Sequence, residues 1–110
     1  MIVYRFEKDG LGPYSSNWTT PLSWYEYHGN NFNRLPNIEI DVQESGSFSD
    51  GYICACESLD KLCAWFGEFV DNLLEADFKC VAYQTADVLL TKSGAQVAFR
   101  KETALRIGEI

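Results

Sequence analysis

Ile2, Tyr4 and Phe6 alternate with Val3, Arg5 and Glu7 until Lys8-Asp9-Gly10 interrupts them, which predicts an opening strand over residues 2–7 followed by a tight turn. Residues 11–37 hold no sustained period. Gly12-Pro13, Ser15-Ser16-Asn17, Gly29-Asn30-Asn31 and Leu35-Pro36 punctuate them, and Tyr14, Trp18, Trp24, Tyr25, Tyr27 and Phe32 are threaded between. The expectation is a long aromatic loop, with one short helix capped by Thr20, opened by Pro21 and stopped by Gly29. Ile38, Ile40 and Val42 then alternate with Glu39 and Asp41, the pattern of a strand over 37–42 with one wet face. After a surface turn at 43–50, Tyr52-Ile53-Cys54-Ala55-Cys56 is short and nearly all apolar, as suits the centre of a sheet.

The longest period follows. Leu59, Leu62, Cys63, Phe66, Phe69, Val70, Leu73 and Leu74 recur at three and four residues behind Ser58, a good N-cap, so a main amphipathic helix is expected over about 58–76. Gly67 in its interior points to a close approach or a bend. Residues 78–84, 87–91 and 96–100 read as strands, the last two joined through the turn Lys92-Ser93-Gly94-Ala95, and 101–107 as a closing helical turn. The pattern as a whole predicts an α+β fold, with a mixed, mostly antiparallel sheet of about five to six strands and that one helix packed on it.

With 110 residues the chain suits one domain spanning 1–110 and is long enough for a core that needs no metal or disulfide. Composition changes the picture in two ways. Aromatic residues make up 15% of the chain, more than a modest core needs, so some rings are expected at the surface. And 9 basic against 16 acidic residues give a net charge of -7, which repels phosphate backbones and anionic membranes and argues against direct nucleic-acid or membrane binding. No apolar run is long enough for a membrane span and the first residues lack a secretory pattern, so a cytoplasmic protein is expected. Cys54, Cys56, Cys63 and Cys80 lie inside apolar patterns and do not bracket turns, which fits reduced thiols.

The charge is concentrated. Glu39, Asp41, Glu44, Asp50, Glu57, Asp60, Glu68, Asp71, Glu75 and Asp77 face only Lys61 between 39 and 77, ten acids against one base. Glu68, Asp71 and Glu75 are spaced to share one face of the expected helix, opposite its apolar stripe, where unpaired like charges destabilise slightly. A solvated face would explain them; the sharper reading is a docking surface, with Asp60, for a protein with a basic surface. Trp18, Trp24 and Tyr25 either fold back as core or anchor that partner, since large rings bury much area at low entropic cost.

Catalytic chemistry finds little support. His28 is the one histidine, which disfavours hydrolytic triads, histidine metal sites and a Cys–His nucleophile, and no phosphate-cradling glycine loop is present. The four cysteines admit a four-thiolate zinc site, but their places in strand and helix patterns fit small buried hydrophobes better, so neither metal nor cofactor is expected.

Val3-Tyr4-Arg5-Phe6-Glu7, Gly12-Pro13-Tyr14, Ser58-Leu59-Asp60-Lys61-Leu62 with Trp65-Phe66, and Ala95-Gln96-Val97-Ala98-Phe99 together resemble a group of small proteins encoded by phages and prophages. Size and acidity are similar to what many anti-defence proteins share, including anti-CRISPR proteins that occupy basic nucleic-acid channels, and the resemblance implies an inhibitor of a host protein. The order of elements also looks like a minimal ADP-ribosyltransferase, which implies that Arg5 meets a nicotinamide dinucleotide and that Gln96 stands where such enzymes carry a catalytic Glu. A neutral amide does not steady an oxocarbenium-like transition state, so that resemblance implies a degenerate activity.

Overall fold

The computed structural model describes residues 1–13, 38–42 and 51–110. The expected Thr20–Gly29 helix, the aromatic loop beyond Pro13 and the 43–50 turn lie outside them. In chain order the described elements are β1 (Ile2–Glu7), α1 (Ile38–Asp41), β2 (Tyr52–Ala55), α2 (Leu59–Phe66), a 3-10 turn (Gly67–Phe69), α3 (Val70–Glu75), β3 (Lys79–Gln84), β4 (Val88–Leu89), β5 (Val97–Arg100), a second 3-10 turn (Lys101–Thr103) and β6 (Leu105–Glu109).

These strands form two antiparallel three-stranded sheets, β1-β3-β6 and β2-β5-β4, where the pattern predicted a single sheet. Among the described residues one backbone bridge joins them: Tyr4 and Cys56 exchange hydrogen bonds of 2.8 Å, just past the end of β2. The reason for two sheets is that β1 and β3 have apolar side chains on both faces. Tyr4, Phe6 and Cys80 meet Leu62, Trp65, Phe66, Leu73 and Phe78 under the helices, while Val3, Val81 and Tyr83 meet Ala55, Val97 and Phe99 of the second sheet. Fully burying each such side chain contributes about 1.5–3 kcal/mol. Consequently β2 lies at an edge of its sheet, with Cys54 exposed, and the expectation that it runs through a sheet centre is corrected.

The turn after β1 is formed by Asp9 and Gly10 at φ 53 and 79, with Lys8 and Leu11 exchanging hydrogen bonds of 2.9 and 3.0 Å. Two positive φ angles match the right-handed twist of a two-residue hairpin, and Asp-Gly adopts them readily.

The main helix is three pieces. Ser58 caps α2 by accepting from the Lys61 amide at 3.1 Å, a contact worth about 1 kcal/mol. At Gly67 the backbone takes φ 56, ψ -125, which a side chain would strain, and the chain tightens into the 3-10 turn before α3 resumes. The bend shifts the buried stripe: Trp65 joins Leu62 and Phe66 inside, while Leu74, an expected core residue, is 48% exposed.

Helix α3 ends on Asp77 in the left-handed region at φ 70. The Phe78 amide donates to the Leu73 carbonyl and the Asp77 amide to that of Leu74, and Phe78 packs in the same cluster as Leu73, so the last carbonyls are satisfied by a Schellman arrangement. Glycine fits that position without strain. Asp77→Gly is expected to raise stability by about 0.5–1 kcal/mol, read as a higher urea midpoint at unchanged slope; a lower midpoint would contradict this reading of the cap.

Two further expectations are corrected. Residues 38–41 are a turn of helix, closed by Val42 N–H donating to the Ile38 carbonyl, because Ile38 and Val42 lie four apart and Asp41 is held by tertiary bonds; only Val42 makes a β-bridge, to Thr91. The closing helical turn stops at Thr103, after which 105–109 pair with the free edge of β3.

Candidate functional site

Alternation puts Val3, Arg5 and Glu7 on the inner face of β1, so two charged side chains enter an otherwise apolar layer and need partners there. Glu7, 5% exposed, accepts the single proton of Tyr83 Oη, which lies 2.9 and 2.8 Å from its two oxygens. Arg5 Nε lies 3.0 Å from Glu7 Oε2, an ion pair too oblique to be a hydrogen bond, and Arg5 Nη1 donates to the Cys54 carbonyl at 3.4 Å. Lys101 Nζ sits 3.5 Å from Glu7 Oε2 and donates to the Gly10 carbonyl at 2.7 Å. Gly12 leaves room for this group: a Cβ there would stand 2.6 Å from Arg5 Nη2, so a side chain at this position would displace the guanidinium. Burial pushes the Arg5 guanidinium down from its ordinary value while Glu7 opposes the shift; burial first, then the Glu7 hydrogen bond, pushes the Tyr83 phenol up to about 12.

A second buried carboxylate organises the opposite end. Asp41 Oδ1 accepts from the Ser93 amide at 2.9 Å, and Oδ2 accepts from Ser93 Oγ at 2.5 Å and Gln96 Nε2 at 3.1 Å. Its carbonyl takes the Lys92 amide at 2.7 Å, so α1 is fastened to the β4–β5 loop. Asp41 therefore leaves the acidic surface to which the sequence pattern assigned it.

Arg5 and Gln96 thus have internal partners, Glu7 and Asp41 respectively; Arg5 lies in β1 and Gln96 just before β5 of the other sheet. Cys56 is buried and donates from Sγ to the Ala95 carbonyl at 3.5 Å, and burial pushes its thiol up to about 12, so it is a poor nucleophile at neutral pH. All four cysteines are free; Cys54 and Cys63 are exposed, against the expectation that they fill the core. Among the described residues no group of three His, Cys, Asp or Glu is placed to hold a metal.

Glu68, Asp71 and Glu75 are all exposed; Asp71 and Glu75, four apart on α3, share a face, and Glu68 lies on the 3-10 turn before it. None has an ion-pair partner among the described residues. Asp60 is exposed in the first turn of α2, beside the Lys61–Glu57 ion pair. What the sequence pattern missed is Leu74, which is exposed on α3 next in sequence to Glu75, so an apolar side chain flanks the carboxylates. Trp18, Trp24 and Tyr25 lie outside the described residues.

Fold and surface together define a small α+β protein with exposed helix acids that have no ion-pair partner among the described residues. A family model described as Bacteriophage T4 Y00F protein matches residues 1–110, and the chain belongs to that phage protein family. No curated protein and no solved structure matches, so the likeness to a minimal ADP-ribosyltransferase rests on Arg5, Gln96 and element order alone.

Proposed function

We propose that this phage-family protein binds a host protein through Asp60, Glu68, Asp71, Glu75 and Leu74, and inhibits it by occupying a basic surface that otherwise takes nucleic acid. An anti-defence target of the anti-CRISPR kind, met in the host cytosol, fits this reading. The observation that carries it is that Glu68, Asp71 and Glu75 are all exposed, on the 3-10 turn and along α3, with no ion-pair partner among the described residues, so that nearby like charges oppose folding slightly. Leu74, exposed beside the acids on α3, supplies apolar area, and the charges steer a basic partner and set the register of docking. Trp18, Trp24 and Tyr25 are the aromatic anchors expected to extend the contact.

Affinity capture with the tagged chain from host lysate, at low and high salt, tests the proposal. A stoichiometric basic protein retained at low salt, released at high salt and not captured by the E68K/D71K/E75K variant supports it. A partner that this variant captures equally well removes the ridge from the account.

A further inference from the structure

Strand β6 is the outer strand of its sheet, and its exposed side chains are unusually apolar: Leu105 is 67% exposed, Ile107 50% and Ile110 65%. The register against β3 contains a bulge. Gln84 faces Leu105 and Tyr83 faces Arg106, but Ala82 faces Gly108 and Val81 faces Glu109, leaving Ile107 as the extra residue. In a regular strand residues 106 and 109 point to opposite faces. Here the bulge puts Arg106 and Glu109 on the same face, and Leu105, Gly108 and Ile110 on the other. Ile110 stays in the sheet through its amide, which donates to the Cys80 carbonyl at 2.9 Å.

This arrangement complements itself. We propose that two copies of this chain pair edge to edge through β6, antiparallel, about a two-fold axis at residues 107–108. Each Arg106 then stands opposite Glu109 of the second copy, and each Leu105 opposite Ile110 of the second copy. Arg106 and Glu109 have no ion-pair partner within the described part of their own chain. Ile2, 43% exposed and in the same cross-strand row as Gln84 and Leu105, widens the apolar side. Charges and bulges also serve to keep sheet edges apart. In this register the opposed charges are of opposite sign, so they select the partner strand and fix its register, and two such pairs form per dimer.

Sedimentation equilibrium of the full chain tests the pairing. The wild type is expected to dimerise; Arg106→Glu or Glu109→Arg alone, which places like charges opposite each other twice, is expected to weaken the dimer at least about tenfold. The double exchange R106E/E109R restores the opposed signs and is expected to recover the wild-type constant, with circular dichroism confirming the fold of each variant. A wild type that is monomeric at about 100 µM, a dimer unchanged in either single variant, or a double exchange that fails to recover it overturns the proposal. The ridge at α3 is not part of this contact, so failure here leaves the proposed host-protein binding separately testable.

Discussion

Glu7→Ala is expected to lower stability by about 4 kcal/mol, the largest effect foreseen for a single substitution in this chain. The carboxylate accepts the Tyr83 hydroxyl proton, within reach of both its oxygens, and faces Arg5 and Lys101. Without it a guanidinium remains in an apolar layer with no counter-charge, and the phenol loses its acceptor. Replacing the pair together, as Arg5→Met with Glu7→Leu, removes the uncompensated charge and is expected to be much less damaging than Glu7→Ala. Urea denaturation at neutral pH reads both. A double variant as unstable as the single one would mean that packing volume, not charge, is what Glu7 supplies. The same network predicts an alkaline weakness. Because Tyr83 binds its proton more tightly in the folded chain, raised from 10.0 to about 12, the stability it contributes is complete below about pH 10 and is lost as pH climbs toward 12. Tyr83→Phe is expected to flatten that part of the stability profile.

Asp41→Ala is the second large effect, expected at about 3 kcal/mol. Three donors converge on its carboxylate, and two of them, the Ser93 amide and Gln96 Nε2, sit where Asp41 itself holds the loop against α1. Asp41→Asn keeps the volume but puts an amide where two acceptor oxygens are needed, so it should recover only part of the loss. Thermal unfolding of the three proteins checks the order wild type, Asn, Ala. An alanine variant within about 0.5 kcal/mol of wild type would show that α1 is not anchored in this way.

Local signals were readable where the cause is local. The β1 alternation, the Asp9-Gly10 turn, the Ser58 cap and the bend at Gly67 each depend on a few neighbouring residues, and each is found where the pattern puts it. What escaped depends on contacts distant in sequence. Alternation of Ile38, Ile40 and Val42 reads as a strand, and only the bonds from Asp41 to Ser93 and Gln96 decide for a helical turn. Arg5 and Glu7 read as one polar side of a strand; that their side is buried follows from the second sheet covering it, and Tyr83 lies 76 residues away. At the other end a usable signal was present: Leu105 and Ile107 alternate with Arg106, a strand pattern that the helical reading of 101–107 overrode. The acidic ridge was legible as three exposed residues, whereas Leu74 required the bend to turn an expected core residue outward.

The central claim is that the charge of the α3 face makes the contact with a host protein. Its most direct measurement is the binding isotherm of the captured partner with wild type, with the neutral variant E68Q/D71N/E75Q and with E68K/D71K/E75K, at two salt concentrations and with matched circular dichroism. The account predicts affinity falling in that order and a salt dependence that shrinks in the neutral variant. Equal affinities across the three, with the fold intact, would contradict it.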